Sequence, residues 1–195
     1  MKKIAGALLA LVFYSTLAFS QNDEYIQKPT FAVSFIFNDF TSAANVRANS
    51  LGTVFKNQQF GKVKNMAPGL ALSYIKGMTR NFDFTTTLAG SFVDYPVPNK
   101  PSFGRDFLLL EGDVSVRGKM ISNKSFINPY LQAGLGVAKY KSYFSTFIPV
   151  GAGMQINLFD EAYLLVNAQY RVPMTEYGNY HFYFGFGLAG NIGKR

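Results

Sequence analysis

Through most of the chain, large apolar residues alternate with small or polar ones at a strict period of two, and this alternation constrains the fold more than any other feature. Phe182, Phe184, Phe186, Leu188 and Ile192 interleave with Tyr183, Gly185, Gly187, Ala189 and Asn191. Successive side chains of a β-strand point to opposite faces, so the pattern writes a strand with one apolar face. The preceding run sets Ala162, Leu164, Val166, Ala168 and Tyr170 against Tyr163, Leu165, Asn167, Gln169 and Arg171. The run from Phe147 to Leu158 repeats it, with Gly151 and Gly153 opposite Val150, Ala152 and Met154. Reading back towards the N-terminus, strands are predicted at Ile127 to Val137, Leu108 to Met120, Phe82 to Phe92, Leu70 to Tyr74 and Phe31 to Phe37. That makes eight, several near the roughly 9 to 11 residues that a tilted strand needs to cross a bilayer's hydrocarbon.

Which face is wet decides the class. A soluble eight-stranded calyx such as a lipocalin turns its apolar residues inward, whereas a membrane barrel turns them to lipid. Dense Phe and Ile faces opposite Gly151, Gly153, Gly185 and Gly187 suit lipid outside and small residues inside, with no ligand cavity. The expected fold is an all-β, eight-stranded antiparallel up-and-down transmembrane barrel. Connections should alternate in length, with long loops at 39–66 and 94–106, an intermediate one at 141–145 and a longer one at 172–179. Tight turns fall at 79–81, 122–125 and 159–161. Long loops belong outside the cell and short turns in the periplasm. Phe92, Tyr95, Phe107, Tyr143 and Tyr180 at one rim, and Phe82, Phe126 and Phe159 at the other, would form two aromatic girdles.

The N-terminus agrees. Lys2 and Lys3 precede an apolar run from Ile4 to Phe13, too short to span a bilayer, and Ala18-Phe19-Ser20 offers a cleavage box. Residues 1–20 are read as an export signal and residues 21–195 as the barrel domain, with Gln21 the mature start. Removing Lys2 and Lys3 from the 19 basic residues leaves 17 against 11 acidic ones, a balance of +6. These charges are scattered, so no nucleic-acid partner is expected. The chain has no Cys and one His, which leaves no metal set, and no nucleotide-binding motif occurs; no cofactor is expected.

Asn128-Pro129-Tyr130 opening a Gly-rich strand, Gly151-Ala152-Gly153 in the next and Phe184-Gly185-Phe186-Gly187 in the last resemble the small outer-membrane barrels related to the OmpA transmembrane domain, particularly their Bacteroidota-type forms. The resemblance covers Gln21 to Arg195 and implies a monomer in the outer membrane among lipid and lipopolysaccharide. Two departures stand out. Arg195 follows directly on the last strand, so no peptidoglycan-binding domain is expected, and Phe186 or Ile192 must stand in for the terminal aromatic of such barrels.

Candidate functional residues are few. Glu111, Asp113, Arg117 and Lys119 share the inward parity of one strand, and Arg171 that of another. Glu111 and Arg171 each lie nine residues above a periplasmic turn, so they should stand at similar height on nearly opposite walls. A buried charge needs a partner, and the expected network pairs Glu111 and Asp113 with Arg117, Arg171 or Lys119. Lys62, Lys64, Lys139 and Lys141 near the outer ends could meet lipopolysaccharide phosphates. His181 reads as a rim residue at the lipid headgroup level. A lipid A-modifying enzyme would need it beside a serine, and only Ser145 and Glu176 offer a Ser-His-Glu grouping. A structural or interaction role without catalysis is the leading expectation, a narrow ion-conducting pore the second, and a lipid-modifying enzyme the third. The sequence names no extracellular partner.

Overall fold

The computed structural model describes residues 26–121, 125–159 and 162–192, with Phe159 described by its backbone alone. The signal segment at residues 1–20, the mature start at Gln21, the girdle side chain of Phe159, the turn residues Asn123 and Asp160, and Arg195 lie outside that description. Eight strands follow one another: β1 (Thr30–Asp39), β2 (Ala67–Gly77), β3 (Phe82–Val93), β4 (Phe107–Lys119), β5 (Ile127–Tyr140), β6 (Tyr143–Phe159), β7 (Ala162–Pro173) and β8 (His181–Asn191). Each pairs antiparallel with its neighbour, and β1 pairs with β8, so the sheet closes as an up-and-down barrel without free edges. The loop after β1 carries two short helices, α1 (Phe40–Ala48) and α2 (Leu51–Lys56), and a 3₁₀ turn at Val63–Asn65. No helix among the described residues is long and apolar enough to cross a membrane.

Inside and outside follow the parity read from the sequence. The alternating burial of β1, β4 and β8 puts Phe35, Val114 and Leu188 outside and Ser34, Asp113 and Ala189 inside. Outward side chains form a continuous apolar belt: Phe35 is 65% exposed, Leu135 63% and Leu188 59%. A belt of this extent is stable against lipid and not against water.

Inward glycines accept large neighbours from the adjacent strand. Phe147 on β6 lies over Gly136, its register partner on β5, where an added Cβ would meet the ring at 2.4 Å. Tyr130 lies in the same way over Gly153. Omitting one Cβ lets the opposite ring lie along the wall and fill the lumen, which explains small residues opposite bulky faces.

Three expectations need correction. The third long-end connection is not intermediate in length: β5 ends at Tyr140 and β6 begins at Tyr143, leaving a two-residue turn in which Lys141 has φ 53°. The strands run past the expected limits because Tyr140 and Tyr143 still pair, so Ser145 is strand and not loop. Tyr95 is not a girdle residue; it is 4% exposed inside the mouth of the barrel, and Phe107 packs with it. The girdle at that rim instead includes Tyr170, Phe182 and Phe184, which touch in series with ring centroids 4.9 and 6.1 Å apart.

Candidate functional site: a charged lumen

Among the described residues, apolar layers stand at both ends of the interior, with polar and charged side chains between them. At the long-loop end, Asp39 closes β1 and caps α1 by accepting a hydrogen bond from the Ser42 amide (2.8 Å). This turns Phe40 into the mouth, where it lies over the His181 ring (centroids 4.6 Å) and edge-on to Tyr95 (5.1 Å). Tyr95, Val97, Leu109, Tyr140 and Phe147 complete an apolar plug. The loops are tied across it: the Asn179 amide donates to the Tyr95 hydroxyl (2.6 Å), and its side chain donates to the Pro96 carbonyl (2.7 Å). Burial pushes the Tyr95 hydroxyl above its ordinary pKa, so it stays protonated.

Directly beneath lies the charge cluster. Arg171, fully buried, places Nη1 2.8 Å from Glu111 Oε2 and Nη2 3.3 Å from Asp113 Oδ2. Its guanidinium also sits 3.9 Å over the Tyr183 ring and 4.8 Å from that of Phe147. Glu111 accepts from Asn38 Nδ2 (3.3 Å), which also donates to Ser91 (3.0 Å), and Ser115 donates to Asp113 (2.9 Å). His181 Nε2 lies 3.2 Å from Glu111 Oε1, while Nδ1 lies 3.2 Å from the Asn179 carbonyl.

Lower down, Arg117 is buried with its guanidinium 4.7 Å over the Tyr130 ring. Of the three cations the sequence offered to Glu111 and Asp113, Arg171 takes both, and Lys119 is bound to Asp83 (2.7 Å). Across the β3–β4 ladder Asp83 pairs with Arg117, two residues from Lys119, whereas Asp113 lies six residues away along β4, so Asp83 is the nearer carboxylate. At the short-turn end, Gln27 tucks inside, donating to Thr30 (2.9 Å) and accepting from Gln155 (3.3 Å). Beside it, Ala32, Ile75, Tyr163, Leu165 and Ala189 form a second apolar layer. Among the described residues, the carboxylates of Asp83, Glu111 and Asp113 thus share the lumen with the basic side chains of Arg117, Lys119 and Arg171.

Sequence reasoning placed Tyr183 in the lumen without giving it a partner, and missed His181 and Asp83 as lumenal partners. The parity signal for all three was present, since Phe182, Phe184 and Phe82 were read as outward. His181 is not a headgroup-level rim residue; it is 3% exposed and faces the lumen. Its two nitrogens face Glu111 and Asn179, so the Ser145–His181–Glu176 grouping is not assembled. Among the described residues no group of three or more His, Cys, Asp or Glu side chains could hold a metal.

The four lysines separate into two pairs. Lys141 sits 4.1 Å over the rings of both Phe103 and Phe107, joining the β5–β6 turn to the loop after β3, and Lys139 is 5.2 Å from Phe144. Lys62 and Lys64 are exposed beside the 3₁₀ turn of the first loop.

No protein-family model and no curated protein sequence matches the chain. Solved structures do. The outer membrane protein OprG of Pseudomonas aeruginosa superimposes with a TM-score of 0.56 at 11% identity, over 86% of this chain and 97% of that one. Neisserial surface protein A gives 0.52 at 15% identity, over 86% and 99%. The N-terminal β-barrel domain of Pseudomonas aeruginosa OprF gives 0.51 at 10% identity, over 85% and 98%. At such identities the likeness concerns the fold: this is an eight-stranded antiparallel barrel of the architecture found in outer-membrane proteins.

Proposed function

We propose that the chain is exported, loses residues 1–20, and spans the outer membrane of a Gram-negative cell as a non-enzymatic structural or interaction protein with a sealed lumen. The long loops face outwards, where outer-membrane lipid and lipopolysaccharide are its partners, and the barrel is a monomer. The Gly and aromatic alternation supports reading it as one of the Bacteroidota-type small barrels. The observation that carries the reading is the interior, in which apolar layers at both mouths enclose the cluster on Arg171, 0% exposed. Eight strands leave room only for side chains. In planar bilayers the full chain should give no conductance steps, and vesicles containing it should retain a small trapped dye. Steady unitary currents from the unaltered chain would refute the sealed lumen.

A narrow ion path is the second reading, favoured by a middle layer of incompletely paired polar groups. Arg117 Nε, the Tyr130 hydroxyl, Gln132 Oε1 and Gln169 Oε1 are buried without hydrogen-bond partners among the described residues. Water or an ion would satisfy them. Small currents that grow in Arg171→Ala and Glu111→Ala would favour this path, with the network as its gate.

A further inference from the structure

We infer that the loop between β1 and β2 is a lipid-binding element: it lies against the outer flank of the wall at β7 and β8, with Leu51 and Phe55 immersed in the outer leaflet and Arg47, Lys56, Lys62 and Lys64 holding the phosphate of a phosphorylated lipid. This inference rests on the reading that the barrel spans a membrane with its long loops outside.

The loop's position is set by its rings. Phe60 packs edge-on to Phe182 (centroids 5.1 Å) and touches Phe184 (6.4 Å), both on the outward face of β8. The Arg47 guanidinium lies 3.9 Å over Tyr180, which stacks on Tyr170 of β7. The Gly61 amide donates to Ser42 (2.9 Å), binding the descending limb to the ascending one. From Phe182 to Ile192 the outward face of β8 covers ten residue steps; at roughly 3.3 Å per residue and a tilt of about 40° this is about 25 Å, the height of a barrel's apolar band. Phe182 and Phe60 therefore stand at the band's outer boundary.

At that level Phe55, in contact with Phe60, is 56% exposed, and Leu51, one helical turn earlier, is 51% exposed. Charge is equally one-sided. Residues 40–66 contain four cations and no carboxylate, whereas the loop at 94–106 balances two of each sign and residues 174–180 carry only Glu176. None of the four cations forms an ion pair among the described residues. Arg47, held over the Tyr180 ring and without an ion pair among the described residues, has a guanidinium that can take two phosphate oxygens. Apolar side chains below cations are the arrangement of an interfacial element on an anionic leaflet. A soluble polyanion would account for the cations and leave Leu51 and Phe55 unexplained, so a phosphate carried on acyl chains is the ligand chemistry that satisfies both.

The chain contains no Trp, so Phe55→Trp reports on this one site, with Leu188→Trp as the control in the apolar belt. The full chain is refolded into phosphatidylcholine vesicles with or without phosphatidic acid, either lipid being brominated on its acyl chains. Brominated lipid should quench both tryptophans, and brominated phosphatidic acid should quench Trp emission from the Phe55→Trp protein at lower mole fraction than phosphatidylcholine does. That preference should fall by up to about fivefold, equivalent to about 1 kcal/mol, for each of Lys56→Gln, Lys62→Gln and Lys64→Gln. Quenching at the control position with water-like, unquenched emission at position 55 would overturn the inference, and so would equal quenching by the two lipids. A response at position 55 to a soluble polysulfate alone would assign the cations to a soluble polyanion and overturn it as well. Failure of quenching at position 188 would show instead that the barrel is not in the bilayer, which removes the reading beneath the inference.

Discussion

Arg171 is the residue on which the interior is organised, since it holds Glu111 and Asp113 and lies against two rings. Removing it leaves two carboxylates buried without their cation, a change that costs about 3–5 kcal/mol when one member of a buried pair is lost. Arg171→Ala should accordingly lower the urea midpoint of the refolded barrel by far more than Glu111→Gln. Replacing the group together, as Glu111→Leu with Asp113→Val and Arg171→Met, should recover most of the loss. Equal stability of Arg171→Ala and the unaltered chain would mean that the cluster carries no structural weight. The inward direction of these charges was legible in the sequence, because parity is fixed by the outward Leu110, Val114 and Val116 on one strand and Tyr170 on the other. Their partners were legible only in part: Glu111 and Arg171 follow from counting heights, but Lys119 takes Asp83 because strand stagger decides which inward groups meet. His181 was misread because a lone histidine at a strand's end has no local pattern until the neighbouring Phe182 is used to set its face.

At the scale of elements, each strand makes two contracts, one with lipid and one with the strand beside it. Leu188→Arg places a charge near mid-belt and should cost roughly 2–4 kcal/mol, against about 0–1 for Phe92→Arg at the rim. Similar refolding free energies for the two would contradict the position of the belt. On the inner side, Gly136→Ala drives a methyl into the Phe147 ring and should destabilise by about 1–3 kcal/mol, with partial recovery when Phe147→Leu is added. Additive losses in the double variant would show that the ring is not what limits the site. Strand existence was readable from period two alone. Where β5 and β6 end was not, because Tyr140 and Tyr143 pair across a two-residue turn that needs Lys141 at positive φ, and lysine gives no turn signal. The helices of the first loop were also invisible, since their short segments carry no apolar period and are placed by Asp39, Ser50 and contact with the wall.

For the whole molecule, orientation is the first consequence open to test. In a chain without cysteine, Asn57→Cys should react with an impermeant maleimide on intact cells, and Arg80→Cys only after the outer membrane is opened. The opposite result would invert the topology. Closure of the barrel also sets a timetable. Asp113 and Arg171 are 58 residues apart in sequence, and Glu111 meets His181 only once β8 exists. While β1 to β6 are made, the nascent sheet carries the Glu111 and Asp113 carboxylates on a face with no Arg171 to neutralise them, and it has two open edges. Such an intermediate can neither enter hydrocarbon nor remain safely in water. Insertion, edge sealing and charge neutralisation must therefore happen nearly together, after the last strand arrives, so the slow step of biogenesis is expected to be one late, cooperative event.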